Sequence, residues 1–273
     1  MSVNFGPGFH AASGARVNRS AYDGYVGRWS GLFVREVLAA AEIAESHWIL
    51  DVATGPGEAA SEALSQIGAS GLVVGVDISL EMLQAGRTRF ADRKFRAVIA
   101  DGQALPFADS SFDAVICQLG LMFFPNPVDG LREFRRVLRP RRRAAMCVIS
   151  VRERAPMWGV LAEILSRYLP DQQNVLNLSF ALADAEGLQR SMEGAGFQEI
   201  RVERSTHSGG YESFEDYWTP IEEGAGSLPQ AYRGLPEARR RDVREEVKAR
   251  LSPFESNGRL VMSVEMLIAS GRA

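Results

Sequence analysis

The sequence predicts a doubly wound α/β fold built on a mostly parallel sheet. Three observations carry the prediction. Nearly continuous apolar runs of strand length recur along the first half of the chain, segments with helical spacing separate them, and a glycine-containing turn closes the first run. Apolar strands alternating with helices read as a sheet covered on both faces, and right-handed crossovers place its ligand crevice beyond the carboxyl ends of the strands.

The elements follow in chain order. Residues 1–20 read as irregular, followed by a Tyr/Gly/Arg-rich stretch, AYDGYVGRWS (21–30), and a helix over SGLFVREVLAAAEIA (30–44) laid against the sheet. HWILDVA (47–53) is the first strand, and Ala60, Ala63, Leu64 and Ile67 then repeat at helical spacing. LVVGVDI (72–78) is the second strand, with Leu83, Gly86 and Phe90 marking the helix that follows Ser79. RAVIAD (96–101) and FDAVICQ (112–118) are the third and fourth strands. In PVDGLREFRRVL (127–138) the stripe Leu131, Phe134, Val137 and Leu138 defines the clearest helix, with Asn126 placed to cap it and Pro127 suited to its first turn. AAMCVIS (144–150) is the fifth strand.

Beyond it the pattern changes. MWGVLAEILSRYL (157–169) is an amphipathic helix that reads as an insertion, and a helix over Glu186 to Glu193 leads into the strand EIRVERSTH (199–207). YESFEDYW (211–218) and PEARRRDVREEVKARL (236–251) are helical, and VMSVEMLIAS (261–270) is the last strand. A final strand after so long an excursion suggests an antiparallel closing hairpin with helices in its loop. The expectation is one domain over 1–273: a seven-stranded core over 30–150 and 184–273, and helical insertions near 151–183 and 211–251.

Composition narrows the function class. Apolar residues make up 46% of the 273 and charged residues 24%, ordinary for a globular chain. A net charge of -3 gives no basic footprint for nucleic acid. The clusters Arg139, Arg141, Arg142, Arg143 and Arg239, Arg240, Arg241 read as solvated faces. Cys117 and Cys147 each lie inside a core-strand run, so a disulfide is not expected. No apolar run is long enough for a membrane span, and no secretory layout is evident at the first residues, so a cytoplasmic location is the default expectation. No Cys/His grouping has metal-ligand spacing and no nucleophile elbow is present.

The stretch LDVATGPGEAA (50–60) carries the functional signal. Gly55, Gly57 and Ala60 match the dinucleotide fingerprint, and Asp77 ends the second strand where a ribose-binding acid belongs. Yet Asp51 stands four residues before Gly55. A carboxylate there repels a pyrophosphate at the helix N-terminus and favours a cationic ligand. An NAD(P)-linked oxidoreductase is therefore the alternative reading, and a reacting Tyr-x-x-x-Lys beside the sheet is not evident.

LDVATGPG resembles the first motif of class I S-adenosylmethionine-dependent methyltransferases. GVDIS (75–79) resembles the second, DGQALPFADSSFDAVICQLGLMFF (101–124) the third and fourth, and REFRRVLRP (132–140) the helix before strand five. The subgroup most similar is the ubiquinone/menaquinone-biosynthesis-like one, and YVGRWS (25–30) resembles the pre-core segment of some small-molecule members. The motifs are in order and cover about half of the chain.

The resemblance implies a Rossmann-like fold and methyl transfer from S-adenosyl-L-methionine, leaving S-adenosyl-L-homocysteine, to a small-molecule acceptor. Asp51 would accept from the cofactor's ammonium. Ala53, Thr54, Gly55 and Gly57 would form the turn, whose glycines let the backbone approach closely. Asp77 would take the ribose hydroxyls, with Ile78 and Met82 beside the adenine and Asp101, Gly102 and Gln103 near its amino group. Gln118 and Leu119 would border the sulfonium. Arg28 and Trp29 would close over the carboxylate end, where a guanidinium suits it, with Tyr22 in the same class. Tyr25, Met122, Phe123 and Trp158 would meet the acceptor. Each has a plainer reading: Asp77 as a helix cap, Asp101 as a turn acid, Met122 and Phe123 as core, Arg28 as surface.

One departure from the family pattern is Arg141, Arg142 and Arg143, where a glycine pair usually follows the helix-ending proline; it restricts the turn into strand five, far from the pocket. Transfer from a sulfonium is an in-line displacement that needs alignment and water exclusion rather than a covalent nucleophile. Of the histidines, His10 lies in the irregular N-terminus and His47 at the wrong end of strand one, which leaves His207 as the candidate base. The aromatics Trp158, Tyr168, Phe180, Tyr211, Phe214, Tyr217 and Trp218 concentrate outside the core and suggest an apolar or ring-bearing acceptor, or else serve to stitch the helices to the sheet. A non-catalytic protein that retains the cofactor site is the remaining alternative.

Overall fold

Apolar runs flanked by glycine turns become strands here because both faces of the central sheet are covered. The structure, a computed structural model, describes residues 18–87, 94–224 and 226–273. Its parallel strands are β1 (Trp48–Val52), β2 (Leu72–Asp77), β3 (Phe95–Ile99), β4 (Phe112–Gln118) and β5 (Leu138–Ile149), and β6 (Gln198–Tyr211), β7 (Glu255–Ser256) and β8 (Arg259–Arg272) complete the sheet. Helices α1 (Arg19–Tyr22), α2 (Arg28–Ser30) and α3 (Val34–Ala40) precede β1. α4 (Glu58–Gln66), α5 (Leu80–Arg87) and α6 (Pro127–Val137) cover the sheet. α7 (Pro156–Tyr168), α8 (Gln173–Asn177) and α9 (Ala185–Gly194) follow β5, while α10 (Phe214–Glu222), α11 (Ser227–Arg233) and α12 (Glu237–Leu251) fill the loop between β6 and β7.

The sheet order is β3-β2-β1-β4-β5-β8-β6, with β7 paired to β8. Pairings from β3 through β5 are parallel, and β8 runs antiparallel to both β5 and β6. The order reverses direction between β1 and β4, so the crevice lies beyond Val52 and Gln118. The expected doubly wound sheet with its antiparallel last strand is present. It has eight strands rather than seven, because the two-residue β7 pairs with the start of β8 across a turn at Asn257 and Gly258, too short to leave a periodic signal.

Other boundaries moved for local reasons. β5 starts at Leu138 rather than Ala144, since α6 runs into it without an intervening loop and Arg141 takes up a left-handed φ of 67°. The 139–143 cluster is not wholly a solvated face. Arg143 is buried, its Nε 3.0 Å from Glu42 and its Nη2 3.4 Å from Glu199, while Arg139 and Arg142 hold Asp113 at 2.7 and 3.1 Å. Asn126 occupies the N-cap of α6, but its side chain donates to Asp129 instead of accepting from the helix. Tyr211 ends β6, and α10 begins only at Phe214, where Ser213 caps it through the Asp216 N–H at 3.1 Å. The helices at 173–177 and 227–233 were not anticipated. Phe90 and His10 lie outside the described residues.

The N-terminal segment positions the site. A π-helical turn over Asp23–Gly27 widens the coil between α1 and α2, a device often found at functional positions. It sets Tyr22, Tyr25 and Val26 over the strand tips while Trp29 is buried in an aromatic cluster, donating from Nε1 to the Tyr211 hydroxyl at 2.9 Å. Tyr211, Phe214, Tyr217 and Trp218 make up the rest of that cluster, with Tyr211 and Tyr217 edge-on at 5.2 Å and Phe214 stacked on Trp218 at 5.6 Å. These rings therefore stitch α10 to β6 and the N-terminal segment. Cys117 and Cys147 are buried free thiols.

Candidate functional site

Two adjoining cavities open at the carboxyl ends of the parallel strands, and Tyr22, Leu119 and Phe123 line both. The first holds about 610 Å³ of empty space including its mouth. Its walls come from the tips of β1 (Val52, Ala53, Gly55) and β2 (Val76, Asp77, Ile78), with Met82 from α5. Ala100 and Gly102 after β3 and Gln118 to Gly120 after β4 close it, with Phe124 beyond them.

The turn after β1 is shaped by backbone constraint. Gly55 and Gly57 have φ of 54° and 81°, and Gly57 starts α4. Ala53 and Leu119, neither of them glycine, are also held at positive φ, 56° and 53°. Such strain survives only where neighbours over-determine it, and it gathers at functional positions. Gly120, next to Leu119 beyond β4, packs against Ala53 beyond β1: a Cβ on Gly120 would come within 2.4 Å of the Ala53 Cβ.

The carboxylates are the electrostatic core. Asp77 accepts from the Gly55 N–H at 2.8 Å and the Ser79 N–H at 2.9 Å, one oxygen each. Burial pushes its carboxyl above the usual range, and those N–H groups oppose the shift. Asp51 is fully buried; its Oδ2 accepts from the Thr54 hydroxyl at 2.6 Å and its Oδ1 has no partner among the described residues. Burial pushes Asp51 up to about 7, the Thr54 hydroxyl pulls it down, the charge on Asp77 adds to the rise, and the Ala60 N–H nearby opposes it. Gln118 donates from Nε2 to the Ser30 carbonyl at 3.0 Å and leaves Oε1 buried and unpartnered. Two orphaned acceptors and a bonded carboxylate beside one cavity are an incomplete set: what completes it is a ligand that brings donors and positive charge. S-adenosylmethionine, with an ammonium, a sulfonium and two ribose hydroxyls, fits that donor set, and a diphosphate does not.

The structure brings most of the expected residues together. Ala53, Gly55, Asp77, Ile78 and Met82 line the first cavity, as do Gly102, Gln118, Leu119 and Tyr22. Asp51, in β1, and Thr54 and Gly57, in the turn after it, are buried and are not among the lining residues. Asp101 does not face it: its Oδ1 accepts from the Gln103 N–H at 2.8 Å, and the Gln103 Oε1 accepts from the Asn126 N–H at 2.9 Å, so the pair braces the loop around Gly102. Arg28 and Trp29 are corrections. Arg28 forms a two-pronged pair with Asp216 at 3.0 and 3.2 Å, donates to the Gly210 carbonyl and stacks over Tyr211 at 4.5 Å, which commits it to the junction with α10. His207 is a third correction: its Nε2 meets Glu36 and its ring packs edge-on against Phe33 at 4.7 Å, under α3 and outside both cavities.

The second cavity holds about 470 Å³ of empty space including its mouth. Tyr25, Met122, Phe123 and Trp158, the expected acceptor-side residues, all line it. Val26, Ile149, Ser179 and the start of α11 with Gly226 before it complete it, and these were not anticipated. Val26 is one residue from Tyr25 and could have been inferred from it. Ser179, in a 3-10 turn just after α8, and Leu228, in α11, reach the cavity only through the docking of those segments, for which no local pattern exists. No Asp, Glu, His, Lys or Arg is found among its described lining residues.

Comparison with known proteins gives a consistent picture. Residues 50–146 match a family described as a methyltransferase domain. The demethylmenaquinone methyltransferase of Corynebacterium kroppenstedtii is 37% identical over 163 residues, spanning 56% of this chain and 68% of its own length. That of a Mycobacterium species is 35% identical over 179 residues, 61% of this chain and 74% of its own. Among solved structures, Haemonchus contortus phosphoethanolamine N-methyltransferase 2 with bound S-adenosyl-L-methionine aligns with a TM-score of 0.58 at 17% identity, over 93% of this chain and 56% of that one, a likeness of fold.

Proposed function

The chain belongs to the class I S-adenosylmethionine-dependent methyltransferases, in the ubiquinone/menaquinone-biosynthesis-like subgroup, and on that premise we propose that its first cavity holds the cofactor and its second the methyl acceptor. The observation that carries the assignment is the pair of buried, unpartnered acceptors, Asp51 Oδ1 and Gln118 Oε1, beside a cavity that also presents Asp77.

The bound cofactor supplies a methyl group already activated for in-line displacement. The chain's own residues then hold and exclude. Asp51 and Gln118 accept from the ammonium end, and Thr54 fixes the Asp51 carboxylate by taking up its other oxygen. Asp77, whose oxygens accept from the Gly55 and Ser79 N–H groups, offers its remaining acceptor capacity to the ribose hydroxyls. Ile78, Met82 and Gly102 bound the adenine end, while Asp101 and Gln103 act by holding Gly102 in place. Tyr22, Leu119 and Phe123, which line both cavities, keep water from the transfer path together with Met122 on the acceptor side. Alignment of this sort contributes about 7–11 kcal/mol to a displacement.

The acceptor is a small apolar or ring-bearing molecule, a reading supported by the apolar walls of the second cavity and by relatives named as demethylmenaquinone methyltransferases. The same reading treats 1–273 as one domain, with the insertions near 151–183 and 211–251 as an acceptor-side cap. Among the described residues no helix is long and apolar enough to cross a membrane.

Calorimetry with S-adenosylmethionine, S-adenosylhomocysteine and NAD, followed by labelled-methyl transfer to a panel of ring-bearing acceptors, tests the assignment. Binding of both adenosyl compounds but not NAD, with label recovered in an apolar acceptor, is the expected result. Binding of NAD alone overturns it.

A further inference from the structure

The second cavity contains a feature that apolar packing does not explain. Tyr25 is 1% exposed and lines the cavity, yet its hydroxyl has no hydrogen-bond partner among the described residues. The neighbouring Tyr217 gives its own proton to the Met157 carbonyl at 2.8 Å, and its oxygen lies near the Tyr25 hydroxyl as a weak acceptor without a hydrogen bond of normal geometry. A buried unpaired hydroxyl is unfavourable, and phenylalanine would fill the same space without that cost. The remaining polar side chains on the cavity wall, Tyr22, Trp158, Ser179 and Ser227, are all uncharged.

Resting on the acceptor-site reading above, we propose that the Tyr25 hydroxyl is the specificity-determining donor of this cavity. It hydrogen-bonds an oxygen on an uncharged, ring-bearing acceptor and so fixes the ring's orientation beside Leu119 and Phe123. Burial beside the Tyr211 and Tyr217 rings holds the phenol in its protonated form, so it has a proton to offer a carbonyl or ether oxygen. A phosphorylated, carboxylate or ammonium-bearing acceptor has no counter-charge among the described residues on this wall.

A matched pair of ligands reads this directly. With S-adenosylhomocysteine saturating, quenching of tryptophan fluorescence is titrated with 2-acetonaphthone, 2-isopropylnaphthalene and 2-naphthoate on the wild type and on Tyr25→Phe. The wild type is expected to bind the ketone about tenfold more tightly than the hydrocarbon, a typical effect of one buried hydrogen bond. Tyr25→Phe removes that preference and leaves the hydrocarbon's affinity in place, and the naphthoate binds at least about tenfold more weakly than the ketone to the wild type. Survival of the ketone preference in Tyr25→Phe, equal binding of naphthoate and ketone, or binding of none of the three overturns the proposal. S-adenosylhomocysteine binding, measured in parallel by calorimetry, separates the two levels: its absence in the wild type overturns the cofactor-site reading, whereas its presence with an unchanged ketone preference overturns the Tyr25 role alone.

Discussion

The buried carboxylate at the end of β1 predicts a pH signature that runs in opposite directions for affinity and for stability. Burial, partly offset by Thr54 and reinforced by Asp77, holds Asp51 at about 7 in the free protein, so near neutrality it is partly protonated. An ammonium at the buried, unpartnered Oδ1 would stabilise the ionised form and draw the bound-state pKa back toward the ordinary carboxylate range. Below pH 7 the cofactor must therefore displace a proton, so affinity for S-adenosylhomocysteine falls about tenfold at pH 6 and about 100-fold at pH 5. The ligand's own amino group remains charged over that window and adds no slope. Stability of the free protein moves the other way. A carboxyl whose folded pKa is raised contributes stability that is full below its unfolded value and is lost as pH rises through the folded value, at about 1.4 kcal/mol per unit. Asp77, also raised, acts in the same direction.

The assay is calorimetric titration with S-adenosylhomocysteine from pH 5 to 8, with a thermal melt of the free protein at each pH, on the wild type and Asp51→Asn. Asn cannot titrate, so the variant is expected to show little of the affinity slope and, at pH 8, binding weaker by about 10- to 100-fold, the loss of one charge-assisted hydrogen bond. Affinity that is flat with pH in the wild type, or a slope that persists undiminished in Asp51→Asn, would refute the reasoning.

Three further outcomes follow from the geometry. Gly120→Ala places a Cβ 2.4 Å from the Ala53 Cβ and 3.0 Å from the Cys117 sulfur; the tips of β1 and β4 must separate, and we expect destabilisation of about 1–3 kcal/mol with cofactor affinity reduced at least about tenfold, checked by melting and calorimetry. His207→Ala removes the Glu36 pair and the edge contact with Phe33 but nothing in either cavity, so labelled-methyl transfer should stay within about twofold while stability drops by about 1–2 kcal/mol; a transfer loss beyond about tenfold at saturating cofactor would reinstate it as a base. Arg143→Ala strips a buried guanidinium from Glu42 and Glu199, and urea unfolding should report a loss of about 2–4 kcal/mol with cofactor affinity of the folded protein unchanged.

What could be read from the sequence was whatever depended on neighbours along the chain. The five parallel strands, the α6 stripe and the acid–glycine turn are local patterns, and they fixed the first cavity because its walls are strand tips adjacent in sequence to the motifs. Arg28 and Trp29 misled because their role is tertiary: composition suggested a guanidinium for a carboxylate, and Asp216, nearly two hundred residues away, is the carboxylate it found. His207 was placed at the correct end of a strand but on the wrong face, since a two-residue periodicity decides sides only when the covering helix is known, and α3 supplies Glu36 there. The buried state of Arg143 likewise depends on Glu42 and Glu199 converging from other elements. Ser179 and residues 226–229 lie in or beside short helices whose position is set by docking alone.

The most direct measurement is a crystal structure grown with S-adenosylhomocysteine. The account predicts its ammonium against Asp51 Oδ1 and Gln118 Oε1, its ribose hydroxyls on Asp77, and its sulfur facing the cavity that contains Tyr25. Ligand density elsewhere on the molecule, or an amino-acid end turned away from Asp51 and Gln118, would contradict it.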